Sequence, residues 1–140
     1  MNDPILSLPH VIEALRQAWG DSEPDKVALR HEEGGYIMRR PDQSVSVERW
    51  PQGQQGRIVP PPLDAANCYN GEVVIAAFHT HPNPPIDENG DEWEQGPSAS
   101  DKRWHVRRKL PGYVISRDVL YAIDAAGNVQ DAGKREEVLA

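Results

Sequence analysis

The chain has a single cysteine, Cys68, which excludes an internal disulfide framework and fits a reducing compartment. No apolar run approaches the length of a membrane span. Met1-Asn2-Asp3-Pro4 sets no basic region ahead of an apolar one, so an export signal is not expected and a cytoplasmic location is. Positive charge is also scarce: 15 Lys and Arg face 22 Asp and Glu, a net charge of -7, which excludes a general nucleic-acid footprint. Only 38% of residues are hydrophobic and one is Phe, so the core should be small. No internal repeat is present. What is plentiful is proline, thirteen in 140 residues, which predicts long extended connections within one domain.

That domain covers 1-140, with a core over about 7-129, an acidic insertion loop at 82-97 and a charged tail at 131-140 expected to fray or to end in a partial helix. Ser7 reads as the N-cap of a first helix, with Pro9 in its first turn and Leu8, Ile12, Leu15 and Trp19 at helical spacing. Tyr36-Arg40 and Ser44-Trp50 read as a hairpin around Pro41-Asp42-Gln43, with Val45 and Val47 alternating with serines. Pro51 to Pro62 reads as a long loop over the sheet, and Leu63 to Tyr69 as a short turn of helix. Val73-Phe78 is a continuous apolar run that suits a strand buried on both faces. A helix from Ser98 to about Lys109 is stopped by Pro111-Gly112, and Tyr113-Ser116 and Val119-Asp124 are further strands. The fold class predicted is α+β, a mixed sheet flanked by helices.

The chemistry gathers where the apolar run ends. His79 and His81, one residue apart, lie on the same face of a strand, so both imidazoles can reach one ion. Asp101, in the first turn of the next helix, offers a third ligand. Two His and one Asp with a fourth position for water is the pattern of a catalytic zinc site. Ser98-x-x-Asp101 is also close to a capping box, a reading compatible for Ser98 but competing for the Asp101 carboxylate.

His79-Thr80-His81-Pro82 and Ser98-Ala99-Ser100-Asp101, with Glu32-Glu33-Gly34-Gly35 upstream, resemble the signature of the JAMM (MPN or JAB) zinc metalloproteases, closest to small bacterial JAB-like members. The resemblance spans about Val27 to Val129, and Pro82-Pro97 makes a longer gap between the His pair and the Ser than the family's usual one. It implies a cytidine deaminase-like architecture and a zinc-dependent peptidase or isopeptidase, with His79, His81 and Asp101 on the ion. Glu32, matching the family's Glu-x-x-Gly, would be the general base, and Ser98 would donate to the developing oxyanion. Glu33, its neighbour on an extended chain, would point the other way; alternatively both are exposed acids leading into the hairpin. The substrate implied is a protein or peptide, with ubiquitin-like proteins among the candidates, and neither nucleic acid nor membrane is a partner.

A deaminase would need H-x-E and P-C-x-x-C, which one cysteine cannot supply. A cupin-like site uses HxH but fits a helix-borne Asp101 poorly. A non-catalytic MPN-like scaffold module is the alternative outside enzymes. As an enzyme, the domain suits a toxin or effector, a modifier-trimming enzyme, or a phage-tail or cell-wall processing enzyme equally. His105, one turn after Asp101, is a candidate to orient a ligand or else a half-buried histidine. Cys68 reads as a small buried thiol. Lys102, Arg103, Arg107, Arg108 and Lys109 read as a solvated helix face or, alternatively, as a docking face for an acidic partner, and the acidic loop around Trp93 as either a lid or an irregular solvated loop.

Overall fold

The computed structural model describes residues 3–140. Helix α1 (Pro9–Asp21) is followed by a 3-10 turn at Val27–Leu29 and by strands β1 (Gly34–Arg39), β2 (Val45–Arg49), β3 (Cys68–Tyr69) and β4 (Glu72–Thr80). Helix α2 (Ala99–Arg108), strands β5 (Gly112–Ile115), β6 (Val119–Ile123) and β7 (Val129–Lys134), and helix α3 (Arg135–Val138) complete the chain. The fold is α+β: a seven-stranded mixed sheet ordered β2-β1-β4-β5-β6-β7, with β3 paired to β4 and three helices around it. Among the described residues only β4 and β5 run parallel, and α2 is the crossover between them. Among the described residues no helix is long and apolar enough to cross a membrane.

Alternation along β1 divides the core. Ile37 packs on one face with Val11, Leu15, Ala18 and Trp19 of α1, whereas Tyr36 and Met38 pack on the other with Trp50, Leu110 and Trp104. The same alternation on β4 would turn His79 away from Val74. The pairing skips Ile75, however, since Ile37 faces Ala76 and Met38 faces Val74. One bulged residue therefore shifts the phase of the strand, so that Val74 and Ala77 share the α2 face. His79, two residues after Ala77, faces α2 as well, and this positions the site.

Several sequence expectations need correction. Ser7 is not the N-cap of α1: Leu8 takes that position without a side-chain bond, and the Ser7 hydroxyl donates to the Pro4 carbonyl at 2.7 Å. Leu63-Tyr69 forms no helix, because Asp64 Oδ1 accepts the amides of Ala66 and Cys68, an Asx turn that competes with helical bonding. Tyr69 and Glu72 then pair across Asn70-Gly71, whose φ angles of 51° and 79° make the tight hairpin turn that Asn-Gly favours. Cys68, on this short strand, is only half-buried. Of the two expectations for the tail, the partial helix is what forms, as α3, and the fraying does not: residues 129 to 134 pair with β6, and Leu139 after α3 is 3% exposed in the core with α1.

Candidate metal centre

Two neighbouring elements bring the histidines and Asp101 together. Strand β4 ends beneath the N-terminus of α2, where Ser98 Oγ accepts the Asp101 amide at 3.1 Å and Asp101 Oδ2 accepts the Ser98 amide at 2.9 Å. This is a complete capping box, so the helix start itself fixes the carboxylate. The same Oδ2 lies 3.2 Å from His79 Nε2 and 3.5 Å from His81 Nε2, and the two Nε2 atoms are 3.1 Å apart. Capping and facing the histidines do not compete; one oxygen does both.

His81 Nδ1 is 3.2 Å from the Gln95 carbonyl, an acceptor only, so Nδ1–H is donated there and Nε2 faces the centre. A proton or a cation must then sit among the three facing atoms. On a tetrahedron with bonds of about 2.05 Å, donor atoms stand about 3.3 Å apart, which the spacings of 3.1, 3.2 and 3.5 Å match.

Glu32 completes the ring. Its ligand oxygen and one ring nitrogen each of His79 and His81 lie within 4.8 Å of one another, a group able to hold a metal ion. It is not an exposed acid: Glu32 and Glu33 are only 6% and 7% exposed. Backbone bonds between Glu32 and Gln54 (2.7 Å) and Gly53 (2.9 Å) fix its main chain just ahead of β1, while its carboxylate has no hydrogen-bond partner among the described residues. Glu33, one residue on, turns to the opposite face, where Arg49 donates to it at 2.5 Å and His31 Nε2 lies 2.5 Å away.

The two carboxyls of the centre meet opposed environments. Burial pushes Glu32 above the ordinary carboxylate range, against the pull of the two imidazoles. Burial also works against ionisation of Asp101, yet its hydrogen bonds to His79 and His81 outweigh it and hold that carboxyl far below the usual range. For His79, burial disfavours the imidazolium, but Asp101 and Glu32 overcome it and raise the pKa.

His105 does not touch the ligands by a hydrogen bond; its Nδ1 donates to the Leu110 carbonyl at 2.8 Å, and burial lowers its pKa. It lines a second cavity of about 100 Å³ behind the centre with Trp50, His79 and Asp101. The buried Trp50 Nε1–H has no partner among the described residues, and the size of the cavity suits a few ordered waters.

In front of the centre lies a cleft of about 940 Å³, lined by Glu32, His81, Ser98 and Asp101 and by residues of the two flanking loops. One wall is Arg57 to Leu63, which hugs the α2 face through Ile58 and Leu63 and through the Tyr36 hydroxyl on the Pro61 carbonyl at 2.5 Å. Its mark in the sequence is the change from Gln and Gly at 52–56 to Ile, Val, Pro and Leu at 58–63. The acidic loop is solvated and has no regular strand or helix, but it is braced from within. Ile86 bridges Glu92, Asp87 accepts the Trp93 indole N–H at 2.9 Å, and Glu88 takes both ends of the buried Arg30 guanidinium at 2.6 and 3.1 Å. Asn83 and Gln55 exchange two bonds of 3.0 Å, clasping the loop to the opposite wall.

No protein-family model matches the chain, and neither does any curated protein or solved structure. The chemistry of the centre is therefore read from its own side chains.

Proposed function

We propose that the protein is a zinc-dependent hydrolase of amide bonds, of the JAMM type that its motifs resemble, cutting a peptide or isopeptide bond in a protein or peptide substrate. The observation that carries this reading is the ring of His79, His81 and Asp101 at tetrahedral spacing, with Glu32 facing it from the mouth of a cleft.

His79, His81 and Asp101 would hold the ion. Bound there, zinc supplies Lewis-acid polarisation of the amide carbonyl and lowers the pKa of water to about 7. Glu32 takes the proton of the attacking water and returns it to the leaving amine. Its carboxylate suits that task because no hydrogen bond commits it, whereas the Asp101 carboxylate is committed to the cap and to both imidazoles. Ser98 Oγ accepts the Asp101 amide, which leaves its own O–H free to donate to an oxyanion. A donor so placed is worth roughly a hundredfold or more in rate.

Elemental analysis of the wild type beside His81→Ala and Glu32→Gln tests the reading. One zinc per chain is expected in the wild type and in Glu32→Gln, with loss in His81→Ala and amide hydrolysis only by the wild type. A folded wild type that takes up no zinc overturns it. Zinc lost in Glu32→Gln would move Glu32 from base to ligand.

A further inference from the structure

The cleft has two chemically different ends. At one, Trp93 of the acidic loop packs on Gly56, and Glu92 and Glu94 line the cavity. Glu32, paired with Gly53 and Gln54, and His81, bonded beside Glu94 at Gln95, belong to this end. At the other end, Arg108 donates to the carbonyls of Leu63 at 3.1 Å and Asp64 at 3.4 Å, tying the last turn of α2 to the far end of the proline-rich wall. The cavity thus runs from the metal centre along α2 to Arg107 and Arg108.

Those two arginines lack acids. Arg108 spends its hydrogen bonds on carbonyl oxygens, Asn67 included, and Arg107 has no carboxylate partner among the described residues although it lines the cleft. In a chain of net charge -7, this is a local positive end, whereas the other end carries Glu92 and Glu94 against the single arginine Arg57. The volume of about 940 Å³ lies near the top of the range for small-ligand pockets and exceeds what one amino acid fills. Its walls of Ile58, Pro60, Pro62 and Trp104 are apolar and suit an extended chain. Arg107 follows Asp101 by six residues, about 9 Å along the helix axis. An extended peptide covers that distance in about three residues.

We propose that the cleft takes an extended peptide with an acidic side chain about three residues from the amide that is cut, and that Arg107 selects it. The location of the cut rests on the hydrolase reading; the preference for an acid at the α2 end does not. A guanidinium matches a carboxylate in charge and fork geometry. The same acid at the other end would meet Glu92 and Glu94 with only Arg57 to offset them, so the preference is positional.

The test is a peptide series in which one Asp is moved along an otherwise constant sequence, with Lys controls. Binding to zinc-loaded Glu32→Gln protein is read from tryptophan fluorescence, since Trp93 and Trp104 line the cleft, and cleavage is read with the wild type. Expected is one Asp position, about three residues from the cut, that binds about tenfold better than Lys there, the scale of a charge-assisted hydrogen bond. In Arg107→Glu the preference inverts. No binding, a preference independent of position, or a preference unchanged in Arg107→Glu overturns the proposal. Positional binding without cleavage by the wild type supports it while overturning the hydrolase reading, and cleavage without acid preference does the reverse.

Discussion

Glu32 and Glu33 are adjacent in sequence but serve opposite faces of the sheet: Glu32 faces His79 and His81, while Glu33 is held by Arg49 and His31. Their neutral variants should therefore behave oppositely. Glu33→Gln removes the carboxylate from a buried ion pair and should lower stability by about 1.5–3 kcal/mol, the size of a charged hydrogen bond, with zinc stoichiometry unchanged. Glu32→Gln removes a buried charge that no hydrogen bond compensates, so the metal-free variant should be at least as stable as the wild type. Urea denaturation of both metal-free proteins checks the pair.

Asp101 has two tasks that two substitutions separate. Asp101→Asn keeps an oxygen to accept the Ser98 amide, so α2 should remain capped while zinc affinity falls. Asp101→Ala should also lose the Asp101 half of the capping box, while Ser98 Oγ still accepts the amide of residue 101, at a further cost of about 0.5–1.5 kcal/mol. Elemental analysis gives the first outcome and thermal melts of the metal-free variants the second; equal stability of the two would contradict the capping role.

Alkaline stability should hinge in part on Tyr36. Burial pushes its hydroxyl up to about 12, above the value of about 10 expected in the unfolded chain. Because the folded state favours the protonated form, the contribution is complete below pH 10 and is lost as pH rises from 10 to 12. Tyr36→Phe should be about 1 kcal/mol less stable at neutral pH, through loss of the bond to Pro61, and should show a shallower decline at high pH. Denaturation midpoints at neutral pH and near pH 11 measure both.

Gly112 starts β5 where α2 and β4 leave no room. A Cβ there would fall on the Ala77 carbonyl oxygen and within 2.5 Å of His105 Cε1. His105 is itself pinned by the Leu110 carbonyl, and the Ala77 oxygen belongs to the central strand, so neither yields cheaply. Gly112→Ala should cost about 3 kcal/mol or more, at or above the upper end of usual overpacking penalties. A melting temperature within a few degrees of the wild type would show that the strand pair can open.

The sequence by itself determined whatever depends on neighbours along the chain. Period-two alternation sets His79 and His81 on one side and parts Glu32 from Glu33, and Ser98-x-x-Asp101 caps a helix through bonds three residues apart. The hairpin of Tyr36-Arg40 with Ser44-Trp50 was legible for the same reason. Only the tertiary structure decided which distant groups meet. It brought Asp101 to the histidines, through the α2 crossover that joins parallel β4 and β5, and it set the β4 phase with a bulge at Ile75 that no local pattern specifies. It recruited Val129-Lys134 as a strand whose exposed, polar residues gave no period-two signal, because an edge strand is held by backbone pairing with β6 more than by burial. It also made the proline-rich wall and Arg107 two sides of one cleft, since contacts between segments more than forty residues apart follow from packing on the sheet and leave no spacing in the chain to read.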